Sequence, residues 1–160
     1  MPLGSDYAGQ SCSMARTLEI VGERWTLLIV REAFFGVRRF TELQRSLGIA
    51  RNILSARLQT LVRAGILERI RYSQEPERYE YKLTARGRGL YPAIVSIMKW
   101  GDEYLAGDAG PPLLLYHQEC GHHAEPTMVC SHCRAPLDPR KVTPEPGPGA
   151  AAASVHASRT

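Results

Sequence analysis

Long apolar runs are missing from this chain of 160 residues. No stretch approaches the ~18 uninterrupted apolar positions that a membrane span requires, so no membrane partner is expected. The opening Met1-Pro2-Leu3-Gly4-Ser5-Asp6 lacks the basic and apolar regions of a secretory signal, which makes a cytoplasmic location the expectation. The length leaves no room for two full-sized domains or a large barrel. Cysteine is sparse, with four residues, and a reducing compartment argues against a permanent disulfide framework. What the chain does have is 44% hydrophobic residues, enough to build a core.

Charge is modest as a total and uneven in distribution. The 20 basic and 16 acidic side chains give +4 overall. Between Arg38 and Arg71, however, eight arginines are opposed only by Glu42 and Glu68, a surplus of six, and the remainder of the chain is net negative. Every base in that stretch is arginine, whose planar fork suits phosphates and guanine edges better than a lysine ammonium does.

Helical spacing dominates the first hundred residues. Met14, Leu18 and Val21 share one face of a first helix that stops at Gly22. A second helix, from Glu23 to about Phe35, is apolar on nearly all sides and so belongs in the centre of the fold. Thr41-Glu42-Leu43-Gln44 has capping-box spacing and is expected to start a short helix ending near Gly48. From Arg51 to Ala64, Leu54, Leu58, Leu61 and Val62 form a buried stripe opposite Asn52, Ser55, Ala56, Gln59 and Arg63. The period then changes to two. Ile66, Ile70 and Tyr72 share a parity, as do Tyr79, Tyr81 and Leu83, with a Ser73–Glu77 turn between the two runs. Thr84 caps a long helix that Pro92 must kink or divide. No internal repeat is evident.

The composition shifts after Gly107. The expected organisation is a flexible segment 1–11, a main domain 12–107, a Cys/His-rich segment 113–142 and a disordered tail 143–160. The order short helix, tight turn, helix, hairpin is that of a winged helix-turn-helix. The expected fold is therefore mainly α with a small β-hairpin, plus a small Cys/His-rich appendage. Double-stranded operator DNA is the expected partner. Arg39, Thr41, Arg51, Asn52, Ser55, Arg57 and Gln59 would make its contacts from the helices, and Arg71 and Arg78 from the wing.

Six segments, taken together and in order, closely resemble the HxlR-type transcriptional regulators, winged-helix proteins related to the MarR group. They are Cys12-Ser13-Met14-Ala15, the Gly22–Ile29 run, Arg39-Phe40-Thr41-Glu42-Leu43, the Asn52–Leu58 run, Ala64-Gly65-Ile66-Leu67 and the Tyr81–Gly87 run. The resemblance covers about Cys12 to Leu105. It implies a homodimer on operator DNA, usually a repressor and sometimes an activator, and makes Cys12 a candidate sensor of oxidants or electrophiles, the alternative being a small buried apolar residue; the expected effector is an oxidant or a small molecule. One departure is Ala50, where the family usually places a Ser or Thr cap before the recognition helix. A single winged helix touches little DNA, which favours a two-fold dimer, with Leu18, Ile94, Ile97, Trp100 and Tyr104 as its expected interface.

His117-x2-Cys120-x9-Cys130-x2-Cys133 has the spacing of a tetrahedral zinc site built from two turns. His122, His123 and His132 compete with His117 for the fourth place, and reduced thiols or a redox pair are the alternatives to structural zinc. A metal-dependent enzyme is a poor fit, because no His-x-Glu precedes Cys130-x2-Cys133 and four ligands leave no open position. The chain is expected not to be an enzyme. A protein-interaction module built on the Cys/His segment is compatible with DNA binding.

Overall fold

The computed structural model describes Tyr7 and residues 12–150; positions 1–6, 8–11 and 151–160, most of the expected flexible N-terminus and the end of the expected disordered tail, lie outside the described residues. In chain order the elements are α1 (Ser13–Val21), α2 (Thr26–Phe34), α3 (Phe40–Leu47), α4 (Arg51–Arg63), β1 (Leu67–Ser73), β2 (Arg78–Leu83), α5 (Ala85–Arg88), α6 (Tyr91–Leu105), β3 (Tyr116–His117) and β4 (His122–His123). This is a winged helix-turn-helix, with α3 and α4 as the two helices and β1–β2 as the wing. No helix among the described residues is long and apolar enough to cross a membrane.

Ile29 and Val30 from α2, Leu43 from α3, Leu54, Leu58 and Leu61 from α4, and Leu67 from β1 are fully buried together. Each such side chain contributes about 1.5–3 kcal/mol of transfer free energy, which makes this cluster the main driving force for the fold. One carboxylate lies inside it. Glu32 on α2 is buried, and its charge is met by the Arg31 guanidinium at 2.6 Å and the Ser46 hydroxyl at 2.5 Å. Because Ser46 is on α3, the carboxylate ties α2 to the first helix of the helix-turn-helix, a role that sequence reasoning missed.

Several boundaries differ from expectation for identifiable reasons. Helix α2 begins at Thr26 rather than Glu23, because residues 23–25 form a turn closed by the Thr26 N–H on the Glu23 carbonyl at 3.0 Å. Helix α3 is capped two residues earlier than predicted. Arg39 is extended there and bridged to Glu80, and the Glu42 carboxylate accepts the Arg39 N–H at 3.3 Å. Ala50 precedes α4 with no side-chain cap, as expected, an omission that costs roughly 1 kcal/mol. Thr84 does cap the following helix: its hydroxyl accepts the Gly87 N–H at 3.0 Å and donates to the Gly65 carbonyl at 2.6 Å. Pro92 divides that helix rather than kinking it. It lies in the first turn of α6, where a missing N–H leaves no helical bond unmade.

The wing register also corrects the parity expectation. Leu67 pairs with Leu83, Arg69 with Tyr81 and Arg71 with Tyr79, while Ile66 precedes the strand. Cross-strand partners share a face, so this one is apolar at its base and carries arginine and tyrosine towards its tip. The base is anchored to the α2–α3 connection by the Tyr81 N–H on the Arg38 carbonyl at 2.8 Å.

The chain divides into two compact units, one ending at Met98 and the other beginning at Lys99, rather than at Gly107. The reason is burial: among the described residues, none beyond Val95 is buried, so the second half of α6 takes no part in the core. Ile94 is corrected by the same observation. It is 6% exposed and packs in the core of its own chain, whereas Ile97, Trp100 and Tyr104 are 55–62% exposed.

Candidate nucleic-acid interface

The outer face of α4 follows from the stripe that buries the inner one. With Leu54, Leu58 and Leu61 turned inward, Arg51, Asn52, Ala56, Gln59 and Arg63 are exposed and Ser55 is half-buried. Two clefts flank this helix. One, of about 480 Å³, gathers Arg39 and Thr41 from the start of α3, Arg51 from the start of α4, and Tyr72, Arg78 and Tyr79 from the wing. The other, of about 330 Å³, lies between Ser55, Gln59 and Arg63 of α4 and Arg69 of β1. Tyr81 lines both. The structure thus brings Arg39, Thr41, Arg51 and Arg78 to one cleft and Ser55 and Gln59 to its neighbour. Asn52 is exposed on the first turn of α4 and lines neither.

Electrostatics divides these arginines into two groups. Arg51, Arg63 and Arg78 make no ion pair among the described residues, which leaves their guanidinium groups available to phosphate. Three arginines, Arg51 among them, are positioned by aromatic faces: Arg39 lies over Tyr72 at 4.9 Å, Arg51 over Phe40 at 5.4 Å and Arg69 over Tyr79 at 3.5 Å. Such stacking restricts the long side chain and leaves its N–H edge outward. Sequence reasoning missed Tyr72, Tyr79 and Phe40. The alternation that placed arginine opposite tyrosine across the hairpin was the signal, but it became readable only once the strand register was fixed.

Three predicted contacts are already engaged within the chain, the first being Arg39, whose guanidinium lies 3.7 Å from the Glu42 carboxylate. Arg71 lies 3.5 Å from Glu77 at the wing tip, where the Tyr79 hydroxyl and then Arg71 hold the Glu77 carboxyl below its usual range. Arg57 is turned away from the outer face of α4 and meets Glu23 at 2.8 Å.

Cys12 is exposed immediately before α1, and the backbone N–H groups of Ala15 and then Met14 hold its thiol below the ordinary value. In the second unit the four candidate zinc ligands form two pairs. His117 Nδ1 is 3.1 Å from the Cys120 sulfur, and the Cys130 thiol is held below its ordinary value by the backbone N–H of Cys133 and then that of His132. Among the described residues, no group of three or more candidate ligands is drawn together.

Comparison with known proteins extends over most of the chain. A family model described as HxlR-like helix-turn-helix matches residues 20–109. The uncharacterised HTH-type transcriptional regulator Rv3095 of Mycobacterium tuberculosis is 59% identical over 137 residues, 86% of this chain and 87% of that one. A match of 137 residues in a chain of 160 must include positions 24–137, so it runs past the family model and through the Cys/His segment. The crystal structure of PA1607, a candidate transcription factor, has a TM-score of 0.77 at 36% identity and covers 84% of this chain and 94% of its own. The redox regulator HypR in its oxidised form has a TM-score of 0.54 at 32% identity, covering 57% of this chain and 96% of its own. With the family model spanning more than half of the sequence and the helix-turn-helix and wing in place, the chain belongs to the HxlR-like family of helix-turn-helix, DNA-binding transcriptional regulators.

Proposed function

We propose that the chain is a non-enzymatic cytoplasmic repressor that binds a pseudo-palindromic operator as a homodimer. In this reading α4 enters the major groove, where Asn52, Ser55 and Gln59 face base edges. Arg39, Thr41, Arg51 and Arg78 hold the flanking phosphates. The observation that carries it is the convergence of Arg39, Arg51 and Arg78, from three separate elements, on the cleft beside the exposed face of α4. Arg57, paired with Glu23, holds α4 in position instead of touching DNA. Dimerisation through the exposed Ile97, Trp100 and Tyr104 face of α6, with Leu18 of α1, would set two α4 helices about one helical turn, ~34 Å, apart.

The test is binding to the DNA upstream of the protein's own gene, followed by anisotropy over a range of salt concentrations. Arg51→Ala and Arg78→Ala should each weaken operator and random DNA alike and lower the salt slope by about 1. Gln59→Ala should instead reduce discrimination against altered operators, by about 1–3 kcal/mol at the base pair it reads. Unchanged salt slopes in both arginine variants would remove this cleft from the interface.

A second element of the reading is redox responsiveness through Cys12. The lowered thiol pKa at an exposed helix start favours it, as does the likeness to a chain described as a redox regulator.

A further inference from the structure

The Cys/His segment contains a backbone repeat that the sequence does not announce. The Gly121 N–H donates to the His117 carbonyl at 2.9 Å, and thirteen residues later the Arg134 N–H donates to the Cys130 carbonyl, also at 2.9 Å. The Ala124 N–H donates to the Leu115 carbonyl, and thirteen residues later the Leu137 N–H donates to the Met128 carbonyl. The flanking pairs keep the same step, with Tyr116 opposite His123 and Val129 opposite Pro136. Gly121 and Arg134 are both left-handed, at φ +72° and +62°. Arg134 is the one non-glycine residue with positive φ among the described residues. A residue without glycine's freedom adopts that conformation only where the turn demands it. The sequence shows no repeat because what repeats is turn geometry and not side-chain identity.

This correspondence ranks the competing histidines. Under the thirteen-residue step Cys120 maps onto Cys133, and His117 maps onto Cys130. The other three are accounted for differently. His122 Nδ1 is engaged with the Cys120 carbonyl at 2.7 Å, His123 lies edge-on to Tyr116, and His132 falls between the two cysteines of its turn. The two turns therefore each offer one pair of soft or borderline donors at x2 spacing, the donor set that zinc takes in closed structural sites.

The segment also needs such a clamp. No residue in it is buried, and Leu114, Tyr116, Met128 and Leu137 are all exposed. An element of roughly thirty residues without a core holds its shape only with a metal, a disulfide or a partner.

We propose that His117, Cys120, Cys130 and Cys133 bind one structural zinc ion, closing the two turns on each other as a zinc ribbon. Three thiolates and one neutral imidazole fill the tetrahedron, so the ion has no open position and no catalytic role.

The full-length protein, purified under reducing conditions, should contain one zinc per chain by elemental analysis. Replacement by Co(II) should give the intense visible bands and thiolate charge-transfer absorption of a tetrahedral site with three sulfur ligands. Cys130→Ser and His117→Ala should each lose zinc or bind it at least tenfold more weakly, whereas His122→Ala and His132→Ala should retain a full equivalent. Circular dichroism of every variant separates lost metal from lost fold, because the helices of the first unit do not depend on the site. Metal-free protein carrying a Cys130–Cys133 disulfide by mass spectrometry overturns the proposal in favour of a redox pair. Full zinc retention by His117→Ala overturns the assigned ligand set.

Discussion

Arg57 on α4 and Glu23, which precedes α2, form an ion pair at 2.8 Å that fastens α4 to the turn before α2. The Arg57 side chain is 26% exposed and that of Glu23 59%, so water screens much of the attraction. A pair this accessible contributes at most about 1 kcal/mol. The arginine side chain is about three-quarters buried, so truncation also loses packing, a loss partly offset because its Nε is buried without a hydrogen-bond partner. Glu23→Gln should therefore cost under about 1 kcal/mol, and Arg57→Ala about 1–2 kcal/mol, by urea denaturation. Arg57→Ala should leave the salt slope of DNA binding unchanged. A slope reduced by about one phosphate would return Arg57 to the DNA interface.

Gly87 offers a sharper test, because propensity and geometry predict opposite signs. It lies inside α5, where alanine would ordinarily gain up to about 1 kcal/mol. A Cβ at Gly87, however, would sit 2.2 Å from the Ile66 carbonyl oxygen. That oxygen cannot readily retreat, since it accepts the Thr84 N–H at 3.1 Å where the wing joins α5. Gly87→Ala should destabilise by about 1–3 kcal/mol, as overpacking does, and a raised Tm would show that the junction yields.

Most of the fold was legible because its periodicities are strong. The Leu54/Leu58/Leu61 stripe and the Gly48 and Gly65 stops place α4 without tertiary information. The start of α3 was not legible, because Arg39 is held extended by its bridge to Glu80, a contact distant in sequence. The arginines of the interface were readable as charge. Which of them are free and which are internally paired depends on Glu23, Glu42, Glu77 and the tyrosines opposite, and so in part on the wing register. Ile94 was assigned to the wrong surface because an apolar stripe one helix long does not reveal where the core ends and an interface begins.

That last ambiguity can be tested on α6. Ile97, Trp100 and Tyr104 recur at helical spacing, are all more than half exposed, and Trp100 stacks on Tyr104 with ring centroids 5.4 Å apart. If a second copy covers this face, Ile97→Glu combined with Trp100→Glu should convert dimers to monomers by light scattering and weaken operator binding at least tenfold. Ile94→Glu should instead unfold the chain. A double variant that remains dimeric would move the interface elsewhere.

The Cys12 thiol faces the first turn of α1, where the N–H groups of Ala15 and then Met14 favour the thiolate. Its pKa is lowered in the folded chain, so the sign of two effects follows. Alkylation of Cys12 by iodoacetamide, resolved by mass spectrometry, should reach half its maximal rate below the ordinary thiol value of about 8.5. Denaturing the chain should shift that midpoint upward. By linkage, the stability Cys12 contributes is present above the unfolded pKa and is lost as the pH falls through the lower folded value. Cys12→Ser should therefore flatten the rise of stability with pH across that interval. A Cys12 midpoint that is the same in folded and denatured protein would remove the helix start as the source of its reactivity.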